Sequence, residues 1–288
     1  MAPTLALSFR PPLAWEELLK FLAPRAIVGV EQVTADRYRR VLTVDGNTCC
    51  VEAGQLDDSA LSIAVSGAAK GALGPGSTLT ELLRDLFDLD APIEEIDTHL
   101  ATSRRLAPLV TRSPGLRVPG ACDGFELAWR AVLGQQVSVA GATTLAGRFA
   151  AAFGQATNTE FPEIVRLTPT ASDVASADVE QIAAIGLPIR RAATIRGVAR
   201  LAVEQPEFFA PGCDLEVART ALLDLPGIGP WTASYIAMRA HRDRDAFLEN
   251  DLGIKKALDQ PTPQAAIAQA KAWHPYRAYA AMHLWSSL

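Results

Sequence analysis

The seven residues Leu225-Pro226-Gly227-Ile228-Gly229-Pro230-Trp231 constrain the fold of this chain more than any other segment. Apolar residues at helical spacing run up to them over residues 216–223 and away from them over 231–241. Leu225 and Pro226 end the first helix. Gly227 and Gly229 admit positive φ and so a very tight reversal, and Pro230 suits the first position of the next helix. Such a reversal aims backbone amides at one point and opens a helix N-terminus beside them, a combination that holds a phosphate without any lysine. Carbonyls on the same turn, those of Leu223, Leu225 and Ile228, can face a monovalent cation, Na+ or K+, that bridges to the phosphate. A bare G-x-G between helices is usually an ordinary turn. The full LPGIG is more specific, and it points to nucleic acid rather than to catalysis.

Around this hairpin the chain divides into two kinds of sequence. Residues 1–88 read as a small α+β unit. It has a helix over 16–22 after Pro11-Pro12, strands over 38–44 and 49–53 joined through Asp45-Gly46-Asn47, a strand over 61–65 and a loop over 71–77. Beyond it the strand patterns stop. Residues 92–110 read as helix broken near Pro108. Phe125, Trp129 and Val132 share one helical face, Gly134 interrupts it, and Ser138 is placed to cap the next helix, where Ala142, Leu145, Phe149 and Phe153 recur. Further helices are expected over 178–185, 190–204, 253–258 and 276–285. The expected fold is mainly α with an N-terminal α+β domain.

Charge narrows how such a chain could meet DNA. Lys and Arg number 27 against 32 Asp and Glu, a net charge of −5, and neither half of the chain is basic. A protein that coats DNA by bulk electrostatics is excluded, so any contact must come from local placement of amides, helix ends and a few arginines. Cys49, Cys50, Cys122 and Cys213 contain no C-x-x-C pair, and the histidines lack metal-ligand spacing. Cys49 and Cys50 are expected on opposite faces of a strand. No apolar run is long enough to span a membrane, and the first residues lack a signal-peptide pattern. The expectation is a cytoplasmic monomer with no cofactor requirement.

Asp251 follows Gly229 by 22 residues and opens a helical stretch. Asp in that place commonly serves as a helix cap. Behind LPGIGPW, the same spacing resembles the signature of the helix-hairpin-helix DNA glycosylase superfamily. The two roles are compatible, since a helix N-terminus favours an anion. Other segments extend the resemblance nearly end to end and narrow it to the family of bacterial 3-methyladenine DNA glycosylase II. They are Phe21-Leu22-Ala23-Pro24-Arg25-Ala26, Pro114-Gly115-Leu116-Arg117-Val118-Pro119-Gly120, Gly134-Gln135-Gln136-Val137-Ser138 and LPGIGPWTASYIAMR.

The resemblance implies a helix-hairpin-helix glycosylase architecture. Its parts would be an N-terminal α+β domain (1–88), a central helical domain (113–225), and a C-terminal helical domain made of 89–112 plus 226–288. The active-site cleft would lie between the two helical domains. It implies a monofunctional N-glycosylase acting on double-stranded DNA that contains alkylated bases and leaving abasic sites for base excision repair. Asp251 would be catalytic, Trp285, Tyr235, Trp231, Phe21 and Leu252 would line the base pocket, and Gln136 would be the wedge that fills the gap left by the flipped base. Trp231 stands where strand-cutting members of the superfamily carry a Schiff-base lysine, so no lyase activity is expected. Relatives of this type have leucine where Gln136 stands, an aromatic residue where Leu252 stands, and an acidic one where Asn250 stands. These departures keep open a related glycosylase for another lesion such as hypoxanthine; the net negative charge and the need for only one carboxylate keep open a non-enzymatic module that binds damaged DNA.

Overall fold

A computed structural model describes residues 4–68, 74, 76–259 and 262–288 of the chain. Part of the loop expected over 71–77 therefore lies outside the described residues.

The N-terminal region is a five-stranded antiparallel sheet in the order β1-β5-β4-β3-β2 with one helix beside it. Its elements in chain order are β1 (Thr4–Ser8), α1 (Trp15–Leu22), β2 (Glu31–Val33), β3 (Arg37–Val44), β4 (Asn47–Gln55) and β5 (Ala60–Gly67). The turn between β3 and β4 puts Asp45 at φ 50° and Gly46 at φ 75°. Two successive positive φ values match the right-handed twist of the flanking strands, which is why Asp-Gly serves there. The β1 strand had no turn signal to announce it; it adds to the sheet edge by pairing with β5, Thr4 opposite Ala64.

Fourteen helices are described in all. After the sheet come α2 (Thr78–Phe87), α3 (Ile93–Ala101), α4 (Ala107–Arg112), α5 (Gly124–Leu133), α6 (Val139–Phe153), α7 (Ala171–Ser176), α8 (Val179–Ala183) and α9 (Ile189–Glu204). The last are α10 (Leu215–Asp224), α11 (Pro230–Arg239), α12 (Leu252–Ala257), α13 (Pro263–Ala270) and α14 (Arg277–Trp285). The break near Pro108 spans residues 102–106, and Pro108 sits in the first turn of α4, where its missing N–H costs nothing. Ser138 caps α6 by accepting the Gly141 amide at 3.1 Å.

Two hydrophobic cores organise these elements. The first unites the sheet with the helices on either side of the central region: α1 to α4 and α12 to α14 all bury residues in it. The second is central and gathers α5 to α10 around Trp129 and Phe149. Cys49 enters the first core and Cys50 the second, so adjacent thiols face opposite sides of β4 as a pleated strand requires. Burial pushes the Cys49 thiol up to about 11 and that of Cys50 to about 12. The cores do not part at residue 226. Ile228, Ala233, Ile236 and Ala240 belong to the central core, whereas Met238 is buried in the other, with Trp231, Tyr235 and Ala237 packed against it. Helix α11 is thus the wall shared by both bodies. No described helix is long and apolar enough to cross a membrane.

Candidate active site and DNA-binding hairpin

The segment between α10 and α11 is built from the main chain. Ile228 N–H donates to Leu225 C=O at 3.0 Å, and Gly227 has φ +93°. Pro at the second position and a positive-φ glycine at the third are the chemistry of a type II turn. Gly227 is also required by space: a Cβ there would lie 2.1 Å from Thr194 Oγ1. That hydroxyl, on α9, donates to Pro226 C=O at 2.8 Å. From α5's trailing loop, Gln135 Nε2 donates to Gly227 C=O at 3.0 Å and to Thr232 Oγ1 at 2.9 Å. The hairpin is therefore held by side chains reaching in from two distant segments.

Gly229 differs from the sequence expectation. Its φ is −103° with ψ 175°, an extended conformation, imposed by the proline that follows. A Cβ there would meet nothing within 4 Å, so neither backbone nor space demands glycine at 229. No side chain caps α11, and the amides of Gly227, Gly229 and the first turn of α11 donate to nothing in the chain. An open helix end with unspent donors is an anion site.

Helix α12 begins the opposite way. Asp251 is its N-cap, and Oδ1 accepts the Ile254 amide at 2.9 Å. Two indoles also converge on this carboxylate: Trp285 Nε1 donates to Oδ1 at 2.8 Å, and Trp231 Nε1 donates to Oδ2 at 3.0 Å. One donor comes from the end of α14 and the other from the start of α11. Gly253 makes the first possible, because a Cβ there would sit 3.0 Å from Trp285 Cδ1.

The aromatic residues gather beside the carboxylate. Trp231 and Tyr235, one turn apart on α11, stack at 5.2 Å with planes 9° apart. Tyr235 lies 6.5 Å from Trp285, and Trp285 stacks on Phe21 at 6.1 Å. Phe21 is buried, and its ring also carries the Arg25 guanidinium at 3.8 Å; it forms the wall behind Trp285. Leu252 is not brought into this cluster. It is the first residue of α12, it turns outward, and it is 83% exposed. Gln136 lies outside the pocket on the exposed loop before α6, at φ +57°. Its side chain makes no hydrogen bond in the chain, so it is unspent.

Two arginines stand at the inner end of the pocket. Arg239 is anchored by Pro119 C=O at 2.8 Å and Gly120 C=O at 3.0 Å, and it donates to Tyr235 Oη at 2.8 Å. Burial alone would raise the Tyr235 phenol, but Arg239 and Arg25 outweigh it and hold the phenol below its usual value. Arg25 is held in turn by Phe21 C=O at 2.8 Å and, through its own carbonyl, by Arg130. Arg130 belongs to a buried cluster with Glu31, Arg40 and Glu126 that bridges β2, β3 and α5. Burial opposes ionisation of Glu31, but Arg130 and Arg40 prevail and hold it down at about 2. A buried pair of this kind specifies how two bodies dock more than it adds stability; here it fixes the segment that presents Phe21 and Arg25. Sequence periodicity carried no signal for Gln135, Thr194, Gly253 or these arginines as site residues.

Comparison with known proteins agrees with this geometry. Residues 4–123 match the family model of the AlkA N-terminal domain, and residues 129–263 match that of the HhH-GPD superfamily of base excision DNA repair proteins. DNA-3-methyladenine glycosylase 2 of Escherichia coli is 35% identical, over 97% of this chain and 95% of the relative. A probable bifunctional transcriptional activator/DNA repair enzyme AlkA of Mycobacterium tuberculosis is 36% identical over 99% of this chain, which spans 57% of that relative's length. Among solved structures, a 3-methyladenine DNA-glycosylase from Archaeoglobus fulgidus superposes with a TM-score of 0.83, 22% identity, and coverage of 98% of this chain and 97% of that one.

Proposed function

The chain belongs to the HhH-GPD superfamily of base excision DNA repair proteins, with an AlkA N-terminal domain ahead of the hairpin, and we propose that it is a monofunctional DNA N-glycosylase releasing alkylated bases, 3-methyladenine and 7-methylguanine among them, from duplex DNA. The observation that carries this reading is the convergence of Trp231 Nε1 and Trp285 Nε1 on the Asp251 carboxylate, beside a stack of aromatic rings and beyond an open hairpin.

Cleavage of an N-glycosidic bond leaves positive charge on the sugar. A fixed carboxylate beside the sugar stabilises that charge as it develops and can orient the attacking water. The indoles and the Ile254 amide keep the carboxylate from swinging toward solvent; Oδ1 accepts two of these bonds and Oδ2 only one, so Oδ2 retains a free lone pair. An alkylated purine is already cationic and leaves with little help. Trp231, whose indole is committed to Asp251, occupies the place a lyase lysine would need, so the product is an intact strand with an abasic site.

The remaining parts follow the DNA. The amides of Gly227 and Gly229 take a backbone phosphate, with a sodium or potassium ion at the carbonyls of Leu223, Leu225 and Ile228 when DNA is bound. Gln136, exposed and unpaired on its loop, enters the gap left by the flipped base. The protein acts as a monomer in the cytoplasm, at the nucleoid, and needs no cofactor.

The test is incubation with methylated duplex DNA in a chelator-containing buffer, followed by chromatography of the released bases. Wild-type release of methylated purines, loss of release in Asp251→Asn, and strands that break only after alkali are the expected results. Binding to abasic DNA without release of any base would instead favour a damage-binding module.

A further inference from the structure

Helix α12 presents two faces of opposite character. Ile254 and Ala257 are buried on one. Leu252, Lys255 and Lys256, at positions i, i+3 and i+4, share the other. Leu252 is 83% exposed, Lys256 is exposed and Lys255 is half-buried. An apolar tip with two ammonium groups behind it therefore stands toward solvent, past the residue that caps the helix.

Neither ammonium is neutralised within the chain. Lys255 Nζ donates to Asn250 Oδ1 at 3.3 Å, a neutral amide oxygen that orients the group without cancelling its charge. Lys20, by contrast, pairs with Glu17 at 2.7 Å. Among the described residues, no carboxylate stands within ion-pair distance of Lys255 or Lys256. In a chain of net charge −5, two adjacent uncompensated cations are a local exception, and they lie on the helix that Asp251 caps.

Asp251 sets what this face can meet. The argument rests on the base-excision reading above, in which that carboxylate lies against the sugar of the flipped nucleotide. The two phosphates flanking a nucleotide are bonded to its sugar, so both must lie around Asp251. Lys255 is four residues on, about 6 Å along the helix axis, and its flexible four-carbon stem carries the charge back across that distance. We propose that the outward face of α12 is a second DNA contact, in which Lys255 and Lys256 bind the phosphates flanking the flipped nucleotide and Leu252 packs against the apolar face of the adjoining deoxyribose. The two parts of this surface differ in kind. The lysine contacts release counterions from the DNA and so depend on salt; the leucine contact releases none.

The test is affinity for an abasic-site duplex measured over a series of NaCl concentrations. For duplex DNA, log K falls linearly with log salt, by about 0.9 for each phosphate contact. Lys255→Gln and Lys256→Gln are each expected to lower that slope by about one, and the double variant by about two, with affinity about tenfold weaker or more at low salt. Lys255→Arg keeps the charge and should keep the slope. Leu252→Ala is expected to weaken binding severalfold with the slope unchanged. Lys271→Gln, on the exposed turn after α13, should change neither quantity and controls for bulk charge. An unchanged slope in the double variant, or an equal drop in Lys271→Gln, overturns the surface, and wild-type affinity in Leu252→Ala removes Leu252 from it. Release of methylated bases by wild type is measured alongside. Its absence strikes the excision reading, whereas release with unchanged slopes strikes only the α12 surface.

Discussion

Helix α11 starts at Gly229 with no side chain to cap it and unspent amides facing open space, whereas α12 starts at Asp251, whose carboxylate already accepts the Ile254 amide and two indoles. Both ends carry the same partial positive charge. One is left bare for an anion that comes from outside; the other holds an anion that belongs to the chain. The contrast explains how a protein of net charge −5 can handle a polyanion. On the proposed reading, phosphate is met by neutral backbone, and the negative charge of Asp251 stays pinned by its three donors. It also predicts that the two ends fail differently: damage at α11 should lower DNA affinity, and damage at α12 should lower the rate of base release.

The strongest way to break the contrast is at α12. Asp251→Asn keeps a capping side chain, since Asn and Asp cap about equally well, and so keeps thermal stability within about 1 kcal/mol. It removes the charge that the sugar needs. Single-turnover release should fall about 10²–10³-fold, while affinity for an abasic-site duplex stays near that of wild type. Retained release would separate Asp251's capping role from catalysis and leave only the former.

The complementary experiment gives α11 the kind of end that α12 has. Gly229→Asp fits the extended backbone already present and supplies a cap, which should leave stability unchanged or raise it by a few tenths of a kcal/mol. It also places a negative charge where the phosphate should sit. An effective dielectric near 20 and a separation of about 6 Å give about 3 kcal/mol of repulsion, or about 10²-fold in affinity. Fluorescence anisotropy with an abasic duplex would show the loss, and a melting curve the unaltered stability. A more stable protein with unchanged affinity would mean that the phosphate binds elsewhere.

A milder change tests whether the α12 carboxylate must be aimed. Trp285→Phe keeps the ring beside Phe21 but removes the N–H that reaches Oδ1 at 2.8 Å. Loss of one charge-assisted hydrogen bond is worth about 1.5 kcal/mol at the low end, so release should slow about tenfold. Gly253→Ala should reproduce part of that loss from a position with no polar atom of its own, because its Cβ would press on the Trp285 indole at 3.0 Å.

The two ends were not equally legible in the sequence. At α11, Pro226 and Gly227 act on their own backbone, so local rules were enough to locate the reversal; the φ expected of Gly229 was wrong because Pro230 forces extension on the residue before it. At α12, spacing and residue type pointed to Asp251, but not to what holds it. Trp285 arrives from 34 positions away and owes its approach to a glycine in a six-residue helix. Leu252 was expected in the pocket because the resemblance puts a pocket aromatic at that position, yet the first residue after an N-cap starts a helix whose inward face belongs to Ile254 and Ala257. The β1 strand, five residues at a sheet edge, had too little alternation to be read. The shared core of the sheet with α12–α14 is likewise a matter of long-range packing that no local pattern records.

Gln135 offers the finest test, because it sits beside Gln136 and does a different job. The Gln135 amide donates to Gly227 C=O and Thr232 Oγ1, so it props the α11 end from behind; Gln136 points outward with nothing bound. Gln135→Leu removes two neutral hydrogen bonds, each worth about 1 kcal/mol, and leaves a hairpin carbonyl without its partner. It should lower the melting temperature by a few degrees, by about 2–4 °C per kcal/mol for a chain of this size, and weaken DNA binding severalfold through a looser turn. Gln136→Ala gives up no internal contact and relieves nothing in the hairpin. It should leave melting unchanged and affect only the flipped state, seen as slower release from duplex but not from single-stranded methylated DNA. If the two substitutions instead behave alike, the loop acts as one unit on DNA, and the support of the α11 end must rest on Thr194 alone.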